Sequence, residues 1–311
     1  MYGAACKSVR KADDSTLSPA DYARIRAQAR RALQEAGALG HFPTKVADIM
    51  SVARVVEVQD DVLGDAGFLT RMRRKAGTAL KSALSKVLGL FDAPGGLVFI
   101  DRSMQLVKQT FVRLHEAAHA FLPWQRPMYA VVEDCEQSLA PDVADMFDRE
   151  ANVFAAEVLF QLDAFAEEAE GSEFGIFTPV RLSKKYGASI YASIRQYVSK
   201  NHRTCAVLVL NPPEPVPGDG FRATLRRVVT SPSFGLKFSR CIWQDCFTPD
   251  DSIGAMVPIR HRRASGKRQL ELVDDNGQRH ECVVEAFTQK RQVFILIHVA
   301  RALTALPVLV A

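Results

Sequence analysis

The sequence predicts an α+β protein, and three features carry that prediction. Between residues 18 and 200 most apolar side chains recur at helical spacing, interrupted by two short strand-like runs, Arg54–Val58 and Leu97–Ile100. Asn211-Pro212-Pro213-Glu214-Pro215-Val216-Pro217-Gly218 then breaks the pattern as a linker would. Beyond it come short runs of strand type, parted by Gly, Pro and Asp-Asn-Gly turns. The 311 residues, 48% hydrophobic and 24% charged, suffice for about two domains.

Residues 1–17 read as a flexible N-terminus, because Gly3-Ala4-Ala5-Cys6 has no apolar stretch before it of the kind a signal sequence needs. Ser18-Pro19 pairs an N-cap with a proline at the first helical position. The helix it opens runs to about Ala36, with Tyr22, Ile25, Ala29 and Leu33 among its apolar positions, and Gly37 and Gly40 stop it. A second short helix follows Pro43, and then the strand Arg54–Val58. Residues 71–91 open on Arg71-Met72-Arg73-Arg74-Lys75 and set Leu80, Leu84, Val87, Leu88 and Phe91 at helical offsets. That is a basic amphipathic helix, either a solvated surface element packed by its stripe or a contact surface for an acidic partner, nucleic acid or membrane. Gly95-Gly96 turns the chain into the strand Leu97–Ile100.

The stretch Phe111–Pro123 carries the chemistry. His115-Glu116-Ala117-Ala118-His119 is an H-E-x-x-H motif inside an unbroken helical pattern, so both imidazoles lie on one helix face. Two neutral histidine nitrogens so placed can share one Zn²⁺, and Glu116 can then act as general base on a water whose pKa the metal has lowered towards ~7. Phe111, Leu114, Ala118 and Leu122 are spaced to bury one side, and Pro123 ends the helix.

A catalytic zinc needs a third protein ligand. Asp142, Asp145, Asp148 and Glu150 lead into a helix expected over Ala151–Phe165. Asp148 is favoured because it shares a face with Asn152, which would hold the carboxylate or line the site in support; Glu150 is the runner-up. Acids also suit a helix N-terminus without any metal. Asp148→Ala is expected to cost ~10-fold or more in zinc affinity, and Glu150→Ala little.

The run Gln109–Pro123, followed by Asp148-Arg149-Glu150-Ala151-Asn152-Val153-Phe154-Ala155-Ala156-Glu157-Val158-Leu159, resembles the ImmA/IrrE family of metallopeptidases. The resemblance implies a zincin-like catalytic domain with His115 and His119 as zinc ligands, Glu116 as base and position 148 as third ligand, where the family usually has Glu. It also implies a protein substrate, typically a helix-turn-helix transcriptional repressor. Leu182-Ser183-Lys184-Lys185-Tyr186-Gly187-Ala188-Ser189 is similar to the helix-turn-helix-like stretch that follows the family's active-site helices. Its basic side chains make DNA a conceivable partner, with packing of two helices favoured. Tyr129 and Tyr186 are candidate oxyanion donors only because a tyrosine can donate there. The alternative to an enzyme is a non-catalytic zinc-holding regulator that binds DNA or a partner protein.

The domains expected are a zinc metallopeptidase domain over 18–210, including the two-helix unit 178–200, a linker over 211–220, and a β-rich domain over 221–311 for sensing or recognition. Its strands are read at Ala223–Val229, Gly235–Phe238, Ala255–Ile259, Gln269–Val273, Glu281–Ala286 and Val293–Val299, the last leading into a short helix. Cys241, Cys246, His280 and Cys282 lack a usual zinc spacing and read as separate thiols. Six cysteines without a C-x-x-C pair fit a reducing, cytoplasmic setting. Net charge +5 is too mild to imply nucleic acid by itself, and His298, Arg301 and Pro307 interrupt the C-terminal apolar run well short of a membrane span.

Overall fold

The computed structural model describes residues 17–59, 89–129, 141–218, 220–259, 263–289 and 291–302. They form an α+β fold in two compact units, residues 1–164 with 185–188 and residues 165–184 with 189–311. The readings made for residues 1–16, 71–88, 260–262 and 303–311 lie outside the described residues.

The first unit opens with α1 (Pro19–Glu35), where Ser18 Oγ accepts from the Asp21 amide and Pro19 sits in the first turn. It buries Ile25, Ala29, Ala32 and Leu33. Next come α2 (Val46–Val52), β1 (Val56–Glu57), β2 (Gly89–Asp92), β3 (Leu97–Ile100), α3 (Leu106–Phe121) and α4 (Pro141–Leu159). The three strands make a small sheet in the order β1-β3-β2, with β1 parallel and β2 antiparallel to β3. Gly96, at φ 61°, closes the β2–β3 turn. Ala117 and Ala118 on α3 and Ala151 and Ala155 on α4 are fully buried, and such small side chains let two helix backbones come close.

Two expectations change here. Residues 89–91 are strand rather than the end of a basic helix, because Leu90 and Phe91 pair across from Phe99 and Val98. The second site helix begins at Pro141, not Ala151, so Asp145, Asp148 and Glu150 sit within it and only Asp142 is in its first turn.

The second unit continues from α5 (Ala164–Glu170) through most of α6 (Phe177–Lys185) to α7 (Ile190–Ser199). Gly187, at φ 63°, supplies the turn between α6 and α7, and Ser189 caps α7 by accepting from the Ala192 amide. The antiparallel sheet that follows comprises β4 (Cys205–Leu210), β5 (Glu214–Val216), β6 (Gly220–Thr230), β7 (Cys246–Phe247), β8 (Ala264–Val273), β9 (Arg279–Gln289) and β10 (Gln292–Ala302). Its order is β5-β6-β4-β10-β9-β8, with β7 on β6. Leu208, Leu210, Val284, Ile295 and Ile297 pack with Phe221, Phe247, Ile253 and Met256, each fully buried large apolar side chain contributing ~1.5–3 kcal/mol. Helix α7 lies against β4 and β6. Asp275-Asn276-Gly277 turns β8 into β9, with Gly277 at φ 80°.

The proline-rich stretch is not where the chain divides. β4 before it pairs with β6 and β10 after it, and β5 forms inside it at Glu214–Val216, so 211–220 joins strands of one sheet and the division falls after Ala164. Gly235–Phe238 falls within and just after a helix, α8 (Pro232–Lys237), begun by the cap Ser231 and Pro232. In place of a strand at Ala255–Ile259 there is a 3-10 turn, Gly254–Met256. Among the described residues no helix is long and apolar enough to cross a membrane.

Candidate metal centre

Helix α3 carries His115 and His119 one turn apart, with their rings at 85° and centroids 4.8 Å from each other. Their Nε2 atoms face one another at 3.2 Å. From α4, Asp148 Oδ1 stands 3.8 Å from each Nε2. One ligand atom from each of these three residues falls within 4.8 Å of the others, and among the described residues no other such group occurs. The side chain of Asp148 is 63% exposed while those of His115 and His119 are 18% and 5% exposed, so the cluster opens to solvent on the Asp148 side.

Each imidazole is gripped from behind. Asn152 Oδ1 lies 3.2 Å from His115 Nδ1, and Gln125 Oε1 lies 2.7 Å from His119 Nδ1. The far end of the Gln125 amide donates to Glu150 Oε2 at 2.6 Å and to the Phe147 carbonyl at 3.3 Å. Glu150 also accepts from Trp124 Nε1 at 2.7 Å and from Arg24 Nη2 at 3.1 Å, and the Arg24 guanidinium stacks over the Trp124 ring. Glu150 is therefore buried against donors of α1 and the post-α3 turn rather than beside the imidazoles. Asn152 meets His115 rather than the Asp148 carboxylate.

Burial pushes the His115 imidazole down to about 4, and burial together with the positive charge His115 would carry holds His119 lower still. Both rings are thus neutral near pH 7. Glu116, also buried, is pushed up to about 8 by desolvation and then by the charge of Asp148. Its carboxyl lies over Gly89 of β2, where a Cβ would stand 2.6 Å from Oε1 and 2.5 Å from Val112 Cγ1. The ring of Tyr129 lies 5.0 Å from that of His119, and burial raises its phenol. Tyr186, by contrast, packs between Phe42 and Phe160 in a buried aromatic group.

The structure thus brings together His115, His119, Asp148 and Tyr129, with Glu116 on the same helix and Asn152 in support, and leaves Glu150 and Tyr186 out of the cluster. Gln125 and Gly89 escape a reading of the sequence. Gln125 follows a helix-ending proline with no motif around it, and Gly89 ends a run whose apolar spacing also suits a helix. In the second unit His280 Nε2 pairs with Asp274 at 2.9 Å, and Cys282 Sγ donates to the His280 carbonyl.

Residues 78–193 match the family model of the IrrE N-terminal-like domain, Peptidase_M78. The family resemblance stands for that segment, and the match indicates a peptidase-type domain. The matched residues include β2, β3, α3 and α4, and so contain all of the His–His–Asp cluster. No curated protein matches the chain. A solved structure, a Mycobacterium tuberculosis transcriptional regulator, is similar with a TM-score of 0.49 and 11% identity, over 89% of this chain and 88% of that one.

Proposed function

We propose that the chain is a zinc-dependent endopeptidase acting on a specific protein, such as a helix-turn-helix repressor. One observation carries the reading: His115, His119 and Asp148 converge to within 4.8 Å while Glu116 is buried on the same helix. The donor set fits zinc, which takes imidazole nitrogen and carboxylate oxygen in catalytic sites. With each Nδ1 within hydrogen-bond reach of an amide oxygen, the two Nε2 atoms, 3.2 Å apart, are the nitrogens left to hold a shared cation.

When bound, the ion supplies a Lewis acid that polarises the scissile carbonyl and lowers the pKa of a water it holds towards ~7. The chain's own residues divide the remaining tasks. Asn152 and Gln125 hold the two imidazoles in one orientation, so that no reorganisation is needed at the moment of reaction. Glu116, buried on the same helix as the two imidazoles, takes a proton from the attacking water and passes it to the leaving amine. Tyr129, whose ring lies 5.0 Å from that of His119, is the side chain placed to donate a hydroxyl hydrogen to the carbonyl oxygen as negative charge develops there. The exposed flank beside Asp148 is the side from which a polypeptide would approach.

Metal analysis combined with Glu116→Gln tests this. Purified protein is expected to hold about one zinc per chain, and Glu116→Gln to keep the metal while losing at least ~10² in rate on the protein substrate. Zinc below about 0.2 per chain after mild purification would sink the reading. A cellular phenotype that survives Glu116→Gln but not His115→Ala would favour the non-catalytic zinc-holding regulator.

A further inference from the structure

We infer that Glu150, acting through Gln125, fixes the tautomer of His119 and so decides that its Nε2 faces His115 and Asp148 as a lone pair. The inference rests on the proposed metal site for its purpose but not for its geometry. Gln125 is fully buried and Glu150 is 1% exposed, so neither can exchange its partners for water. The two ends of a glutamine amide are almost the same shape, and only partners decide which end points where. At one end of Gln125 stand two acceptors, Glu150 Oε2 at 2.6 Å and the Phe147 carbonyl at 3.3 Å, so that end must be the NH2. The oxygen is then left for His119 Nδ1 at 2.7 Å, which must carry the hydrogen to donate to it.

Glu150 dominates that choice. Its bond to Gln125 is the shorter and is charge-assisted, while the Phe147 carbonyl is neutral and further away. The carboxylate is itself held by Trp124 Nε1 and Arg24 Nη2, so it cannot swing aside. Without Glu150 the amide can turn over, its NH2 can donate to Nδ1, and the ring hydrogen moves to Nε2, where it blocks the donor set. Glu150 is therefore a positioning residue, and the expectation that Glu150→Ala costs little is reversed.

The test reads His119 by ¹⁵N NMR of the metal-free full chain, alongside zinc titration. Wild-type protein is expected to show the Nδ1–H form. Glu150→Ala and Gln125→Leu are each expected to convert a large share of His119 to Nε2–H and to weaken zinc binding ~10-fold or more. Glu150→Gln, which keeps an acceptor oxygen, is expected to restore most of the Nδ1–H form. If Glu150→Ala does not fold, Gln125→Leu and Glu150→Gln decide, since both leave Arg24 and Trp124 a partner at position 150. His119 staying Nδ1–H in Gln125→Leu, or Glu150→Gln losing that form as fully as Glu150→Ala, overturns the inference. The tautomer shift without any zinc binding would uphold it while ending the metalloenzyme reading.

Discussion

The carboxyl of Glu116 occupies space that any side chain on Gly89 would fill, since a Cβ there would stand 2.6 Å from Oε1 and 2.9 Å from Cγ. Gly89 pairs with Ile100 in the sheet, so its backbone cannot withdraw without breaking β2 from β3. The side chains that must yield are Glu116 and Val112, whose Cγ1 would lie 2.5 Å away. Gly89→Ala is therefore expected to displace the proposed base by the order of 1 Å and to lower kcat ~10²-fold, with zinc content unchanged. Wild-type turnover in Gly89→Ala would show that Glu116 does not work from the position seen here.

Asp148 is one methylene shorter than the glutamate usual in the family, and the four buried alanines at 117, 118, 151 and 155 let α3 and α4 approach closely enough for it to reach the imidazoles. Asp148→Ala is expected to weaken zinc binding ~10-fold or more. Asp148→Glu adds length where the helices already lie close, and zinc titration should place it between Asp148→Ala and wild type. Equal affinities for Asp148→Ala and wild type would remove Asp148 from the ligand set.

Glu57 on β1 ties the sheet to α3, accepting from Arg113 Nε at 2.7 Å and Nη2 at 2.9 Å and from Arg102 at 3.2 Å. The bond from Arg113 holds the Glu57 carboxyl below its ordinary value of 4.5. Because the folded pKa is depressed, the stabilisation is fully present above 4.5 and is lost as pH falls through the lower folded value. Melting of wild type and Glu57→Gln across pH 7 to 3 should therefore show two curves that lie apart near neutrality and converge in acid. A constant separation down to pH 3 would assign the cost of Glu57→Gln to packing rather than charge.

What the sequence discloses is what one element encodes by itself. The H-E-x-x-H spacing places His115 and His119 on one face of α3 whatever packs against it, and Asp148 with Asn152 at i,i+4 does the same on α4. Gln125 and Gly89 reach the site through contacts between elements, and no local pattern records those. The strand β2 hides in a run whose leucines also fit a helix, because pairing with β3 outweighs intrinsic preference. The proline-rich stretch reads as a linker because strand pairing across it is invisible until β4 and β6 are seen side by side.

The helix α8 is missed although its start is written in the sequence: Ser231-Pro232 repeats the cap and proline signature of Ser18-Pro19, but the aromatic side chains of Phe234 and Phe238 favour the strand reading of Gly235–Phe238. Ser231 is fully buried, and its Oγ accepts from the Phe234 amide at 3.2 Å and from the Cys205 amide of β4 at 3.1 Å. Ser231→Ala thus removes a cap and also orphans a buried strand amide, a combined cost of ~1–3 kcal/mol. Thermal melting should fall by a few degrees, at ~2–4 °C per kcal/mol for a unit of this size. Ser233, whose Oγ meets only Ser231 Oγ and the His202 carbonyl at 3.4 Å, is the control, and Ser233→Ala is expected to stay within ~0.5 kcal/mol of wild type. If the two variants melt alike, the double role of Ser231 is wrong, and α8 owes its start to Pro232 and the burial of Phe234.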